Sequence, residues 1–256
     1  RYVQQRKVSG MIAALGWQQA APLFIARGRE GFDDHDPDSA ASLFRCYSMT
    51  KPVTGLAAAM LIDQGKLKLD QPLADFAPEF AQMKVAVDPK VSLAARPATT
   101  LITIRHLLTH TAGLGYFFIH PQVLQYFGAV GMPAPGSLAS LKMPLMFDPG
   151  ESWEYSVATD YVGLAVEAAS GQRLDDYLRA NLFDPLGMTQ TAFRDALPDH
   201  AARVHARNDA GQLAAVPMYI GGGEYDSGGG GLTSTAPDYA RFVRMVLNEG
   251  ELDGQR

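Results

Sequence analysis

Residues 48–65 read SMTKPVTGLAAAMLIDQG, the strongest helical pattern in the chain. Val53, Leu56, Ala57, Met60 and Leu61 recur at the i, i+3, i+4, i+7, i+8 spacing of one buried helix face. The pattern predicts a helix from Met49 to Gln64. Pro52 falls in the first turn, where its missing N–H costs no hydrogen bond, so the helix starts close to Ser48. Gly65 ends it. Ser48 and Lys51 then share one face at a helix N-terminus, within reach of each other. Orphan N–H groups and the positive end of the dipole favour an alkoxide or an oxyanion at that place. Burial would withdraw solvation from the charged form of Lys51, the usual route by which a lysine becomes a general base. Taken alone, the pair is weak. With twelve serines and seven lysines in the chain, chance supplies a Ser-x-x-Lys in roughly one such chain in three.

Upstream, Met11–Gly16 and Pro22–Arg29 are short apolar runs that predict an antiparallel hairpin, and the acidic stretch Gly31–Ser39 reads as a loop. Downstream, the pattern from Asp70 to about Asp199 is mainly helical with Pro-rich connections. Thr103 is placed to cap a helix from Ile104 to Thr111, closed by Gly113. Gly115–Pro149 is aromatic, Met-rich and poorly periodic, the composition of a pocket-lining lid, with Tyr116 and Phe117 as candidate substrate contacts. Another helix runs from Ala158 to Ser170 and stops at Gly171. Strand character returns beyond Ala201 with a turn at Asp209–Gly211, followed by glycine clusters at Gly221–Gly223 and Gly228–Gly231. Thr235 caps a last helix from Pro237 to Asn248. The expected organisation is an α/β sheet domain from 1–68 and 206–256, interrupted by a mainly helical domain with its lid over 69–205.

Composition removes several function classes. A formal net charge of −5 opposes general affinity for nucleic-acid phosphates or an anionic membrane. The single cysteine, Cys46, has no partner for an internal disulfide and sits beside Phe44 and Tyr47, where a buried small hydrophobe is the expected role. No apolar run reaches a membrane-span length of about 18 residues, and Arg1–Ser9 is polar, without the apolar core of a signal peptide. The chain therefore reads as soluble, with the cytoplasm as the default location.

The second candidate for chemistry is Tyr155, directly before the helix from Ala158; a phenol there could share a proton with Ser48 and Lys51. Rival sites fail on their own residue requirements. No serine has glycine at both −2 and +2, as a nucleophile elbow needs. His106 and His110 share a helix face, but Leu107 stands where a zinc-binding His-Glu-x-x-His needs glutamate, so no metal is expected. The glycine clusters lack the Gly-Lys-Ser/Thr of a phosphate loop. Close backbone approach beneath a site is the better reading of Gly228–Gly231.

Four motifs in order carry a family resemblance: FRCYSMTKP (44–52), HLLTHTAGL (106–114), Pro149-Gly150 with WEYSVATD (153–160), and DSGGGGLTST (226–235). Together they resemble the serine β-lactamase and penicillin-binding-protein superfamily, and within it the family VIII carboxylesterases, which share a fold with class C β-lactamases. The resemblance implies an antiparallel sheet flanked by helices plus an all-helical domain. It makes Ser48 the acylated nucleophile and Lys51 with Tyr155 the proton-transfer pair. It gives His110 a structural place, and it requires no metal or cofactor.

Two departures shape the expected activity. Class C β-lactamases carry Tyr-x-Asn at the second motif, where this chain has Tyr155-Ser156-Val157; that moves the expectation from β-lactams to esters and marks Val157 as a substrate-contact position. The third motif, Lys-Thr-Gly or its Trp-x-Gly and His-x-Gly variants, is absent from the 256 residues, so the C-terminal part of the implied fold is expected to lie outside them. The leading expectation is hydrolysis of a small-molecule, short-chain carboxylic ester. Beside it stand β-lactamase or D-Ala-D-Ala peptidase activity, acyl transfer to another acceptor, and a catalytically inactive relative. Oligomeric state is left open.

Overall fold

The computed structural model describes residues 1–17, 20–32, 39–87, 94–198, 201–216 and 223–255. In chain order the first elements are β1 (Gly10–Leu15), β2 (Leu23–Gly28), β3 (Phe44–Arg45), α1 (Thr50–Asp63), β4 (Lys84–Ala86), β5 (Ala95–Pro97), α2 (Ile104–Leu108), α3 (Pro121–Val130) and α4 (Ala158–Ser170). Then follow α5 (Leu174–Leu178), α6 (Asp184–Leu186), β6 (Ala192–Phe193), β7 (His205–Arg207), β8 (Leu213–Ala215), β9 (Leu232–Ser234) and α7 (Ala236–Leu247). Every named strand pair among the described residues is antiparallel. The chain forms two compact units: Arg1–Cys46 with Leu178–Ile220 and Leu232–Arg256, and Tyr47–Tyr177 with Gly221–Gly231. The expected division, 1–68 and 206–256 against 69–205, differs from these boundaries. Helix α1 packs against α4, so the segment carrying Ser48 clusters with the helical residues that follow it.

In the first unit the N-terminal apolar runs pair as the β1–β2 hairpin, in register from Gly10↔Gly28 to Leu15↔Leu23. β3, β9 and β6 form a three-stranded sheet with β9 at its centre. β7 and β8 make the hairpin expected around Asp209–Gly211. Helix α7 packs on β1, and the Thr235 hydroxyl accepts from the Asp238 N–H as its cap. The buried Asp238 carboxylate is satisfied in turn by the Gln190 N–H at 2.7 Å and the Thr191 hydroxyl at 3.0 Å. Residues 33–38 of the acidic stretch, and Gly221 and Gly222 of the first glycine cluster, lie outside the described residues.

In the second unit α1 buries Val53, Ala57 and Leu61 of its expected face, rotated so that Thr50, Thr54 and Ala58 join them. Thr50, Val53, Thr54, Ala57, Ala58 and Leu61 are buried, whereas Leu56 and Met60 are only partly covered. Apart from Val53 and Leu61 the buried residues are threonines and alanines, small side chains on a helix that packs against α4. Gly65, at φ +69°, closes the helix as expected. Helix α2 begins at the expected Thr103 cap, which forms a capping box with His106, but ends at Leu108 and not at Thr111. His110 takes a left-handed φ of +57° there, which no continuing helix allows. The lid region is also more regular than expected. Pro121 at the first turn opens α3, Val123 and Phe127 are its buried i, i+4 pair, and Gly131 follows its last residue. Helix α4 matches its expected bounds and places Tyr161 in the core, edge-on to Phe80 at 4.9 Å, with its hydroxyl donating to the Leu141 carbonyl.

Candidate active site

Ser48 lies on the single 3-10 turn Tyr47–Met49 that leads into α1. Tyr47 holds a left-handed φ of +46°, an uncommon conformation for a bulky residue, and it bends the chain directly before the serine. Met49 occupies the N-cap position and no side chain caps the helix, so the Ser48 hydroxyl is not engaged as a cap. Ser48 is exposed.

Two sequence-predicted groups meet it. Tyr155, which precedes α4, donates its hydroxyl to Ser48 Oγ at 2.7 Å across 107 residues of sequence. Lys51 Nζ lies 3.4 Å from the same Oγ. Lys51 is further held by the Tyr116 hydroxyl at 3.0 Å and the Gly229 carbonyl at 2.7 Å. Three oxygens thus surround Nζ: as an ammonium it donates to all three, and as the neutral amine it donates to two and turns its lone pair to the third. The ring of Tyr155 lies beneath the same nitrogen, 4.8 Å from its centroid, within cation–π range.

The groups around this cluster are electrostatically quiet. Burial, reinforced by nearby Asp160 and Tyr155, pushes the Tyr116 phenol above its ordinary value, so it stays protonated at neutral pH. His110 is pushed down by burial and by Lys51, so its ring is neutral. That ring packs 4.9 Å from the ring of Tyr155, its Nδ1 lies 3.4 Å from Ser156 Oγ, and its carbonyl accepts from the Glu154 N–H. These contacts support the segment that presents Tyr155. Tyr116 is steadied in a similar way: its N–H donates to His120 Nδ1 at 2.8 Å, while His120 Nε2 lies 2.9 Å from Glu154 Oε1.

The remaining expected positions fall as follows. Tyr116, expected to touch substrate, is hydrogen-bonded to Lys51. Phe117 is exposed and edge-on to Phe118, which itself stacks on Tyr116 at 4.7 Å. Val157 is buried at the start of α4. The glycine cluster does allow close backbone approach: a Cβ on Gly228 would lie 2.8 Å from the Thr159 carbonyl oxygen. Two partners of Lys51 were missed by sequence reading, the Tyr116 hydroxyl and the Gly229 carbonyl, which lie 65 and 178 residues from it along the chain. No spacing rule reaches across such distances. Among the described residues no group of three or more His, Cys, Asp or Glu could hold a metal ion, and no helix is long and apolar enough to cross a membrane.

Comparison with known proteins fits this geometry. The family described as Beta-lactamase matches residues 2–256. Protein Rv1367c of Mycobacterium tuberculosis is 35% identical over 97% of this chain, which spans 65% of that protein's length. Esterase EstB of Burkholderia gladioli is 30% identical, covering 95% of this chain and 67% of its own. The solved structure of the LovD6 mutant of simvastatin synthase from Aspergillus terreus superposes with a TM-score of 0.84 at 29% identity, covering 97% of this chain and 64% of that one. With a family match over nearly its whole length and the four motifs in order, the chain belongs to the beta-lactamase family.

Proposed function

We propose that this chain carries the acyl-transfer centre of a serine esterase of the family VIII carboxylesterase type, acting on short-chain carboxylic esters through a covalent acyl-enzyme on Ser48. The observation that carries the reading is Ser48 Oγ set between the Tyr155 hydroxyl at 2.7 Å and Lys51 Nζ at 3.4 Å. In the first half-reaction Ser48 Oγ bonds to the ester carbonyl carbon and its proton passes to the Lys51–Tyr155 pair, whose acceptor is the lone pair of Lys51 as the neutral amine. The Ser48 N–H is one donor to the oxyanion. The pair then returns the proton to the alkoxide as the C–O bond breaks, and alcohol leaves. Water attacks the acyl carbon in the second half, giving its proton to the same pair, and Ser48 is regenerated with the acid released. This route uses no metal or cofactor. Similarity to a protein named an esterase supports hydrolysis, and Val157 in place of a β-lactam-holding asparagine argues against β-lactams.

A second reading, transfer of the acyl group to an acceptor other than water, is favoured by similarity to simvastatin synthase. It shares the acyl-enzyme and differs only in what attacks it. The test is intact mass of the chain and its Ser48→Ala variant after exposure to a fluorophosphonate. One adduct, absent from the variant, is expected, with faster turnover of p-nitrophenyl butyrate than of nitrocefin. No adduct would point to a catalytically inactive relative. Equal or faster nitrocefin turnover would return the site to β-lactams.

A further inference from the structure

Lys51 Nζ makes its shortest contact, 2.7 Å, with the Gly229 carbonyl, so the placement of that carbonyl governs the placement of the amine. The carbonyl belongs to a glycine-rich turn in which the Ser227 carbonyl accepts from the Gly230 and Gly231 N–H groups. The loop is gripped from three sides. Asp226 accepts from Arg173 at 2.9 Å and from the Asp175 N–H at 3.2 Å. The Thr54 hydroxyl, on the buried face of α1, donates to the Gly228 carbonyl at 2.9 Å. The third grip is Asp160 of α4, whose Oδ1 accepts from the Ser227 hydroxyl at 2.6 Å and from the Gly229 N–H at 3.0 Å. The fit is tight: a Cβ on Gly229 would lie 2.6 Å from Asp160 Oδ2.

Asp160 is only 4% exposed. A buried carboxylate is costly unless hydrogen bonds and a compensating charge accompany it. We propose that Asp160 is a positioning residue for acyl transfer: it fixes the loop Ser227–Gly229 so that the Gly229 carbonyl holds Lys51 at Ser48, and its buried carboxylate is the counter-charge to the Lys51 amine. This inference rests on the reading of Ser48 and Lys51 as the acyl-transfer pair. The groups facing Asp160 are Lys51 of α1, Tyr116, Tyr161 of α4 and Tyr225. Tyr155 and His110 also face Lys51. Burial raises all three phenols around the carboxyl, which keeps them neutral. Burial also raises the Asp160 carboxyl, and the Ser227 hydroxyl, the Gly229 N–H and Lys51 oppose that rise.

The test separates geometry from charge. Asp160→Asn keeps an acceptor for the loop and removes the charge; Ser227→Ala keeps the charge and removes one grip. As Ser48 gives up its proton, positive charge develops on the base cluster, and the carboxylate stabilises it. Asp160→Asn is therefore expected to lower kcat for p-nitrophenyl butyrate by tenfold or more with KM within about twofold of the parent. Ser227→Ala should lower kcat several-fold and likewise leave KM near that of the parent. Parental kcat in a folded Asp160→Asn overturns the proposal, as does a rate loss accompanied by a raised KM, the result of general disturbance. Should Asp160→Asn not fold, parental kcat in Ser227→Ala overturns it and a several-fold loss supports it. Activity surviving in Ser48→Ala refutes the underlying reading instead, so the two failures are distinct.

Discussion

Removing one oxygen from Tyr116 distinguishes two roles for that residue. In the structure the Tyr116 hydroxyl takes one of the three Lys51 donors at 3.0 Å, while its ring stacks on Phe118 with centroids 4.7 Å apart. Tyr116→Phe keeps the ring and leaves Lys51 with Ser48 Oγ and the Gly229 carbonyl. A hydrogen bond to a charged group contributes about 1.5–3 kcal/mol net. If that contribution is realised when Lys51 handles the Ser48 proton, kcat falls about 10- to 150-fold at about 1.4 kcal/mol per tenfold. The effect should stay below that of Tyr155→Phe, which removes a direct contact to the nucleophile and with it a general acid–base contribution of about 10²–10⁴. The assay is steady-state hydrolysis of p-nitrophenyl butyrate by both variants, with thermal unfolding as the control that the ring packing is intact. A Tyr116→Phe enzyme with kcat within twofold of the parent refutes the reasoning. A rise in KM alone would instead make Tyr116 a substrate contact, the role its place in an aromatic lid suggests.

Two further expectations concern groups away from the nucleophile. Burial pushes the Cys46 thiol up to about 12, so at pH about 8 the folded chain should resist iodoacetamide and become labelled only in denaturant; rapid alkylation of the native chain would contradict its burial. The Arg96 guanidinium at 2.5 Å, together with the Thr99 N–H, holds the Asp148 carboxyl down to about 2 from an ordinary 3.8. A depressed carboxylate stabilises the fold above its ordinary pKa, and that contribution is lost as pH falls toward about 2. Asp148→Asn should therefore be less stable than the parent above pH about 4, with the gap closing toward pH about 2. Urea unfolding across that range measures it, and a gap independent of pH would rule the ion pair out as its source.

Much of the scaffold was legible because its signals are local. Thr103 and Thr235 cap their helices, Gly65 and Gly171 end theirs, and the two N-terminal apolar runs pair as a hairpin. Where sequence reading went astray, a competing local or tertiary term prevailed. Helix α3 was obscured by its apolar, aromatic neighbours, although Pro121 and the Val123–Phe127 pair signalled it. Helix α2 ends at Leu108, short of the expected Thr111, because the left-handed turn at His110 leaves no mark in composition. Helix α1 buries Thr54 and Ala58 ahead of Leu56 and Met60, because the surface it meets is another helix at close range and a glycine loop with a carbonyl to satisfy.

By itself the sequence determined the family, the order of its motifs and the pairing of Ser48 with Lys51, since a three-residue spacing on a helix is a local property. Only the tertiary structure decided which groups complete the cluster. Tyr155, Tyr116 and Gly229 reach Ser48 or Lys51 from 107, 65 and 178 residues away, and Asp160 meets Gly229 across 69. Those meetings depend on how α1, α4 and the glycine loop pack, which is set by side-chain volume and buried hydrogen bonding summed over the whole unit. No periodicity or spacing along the chain encodes that sum.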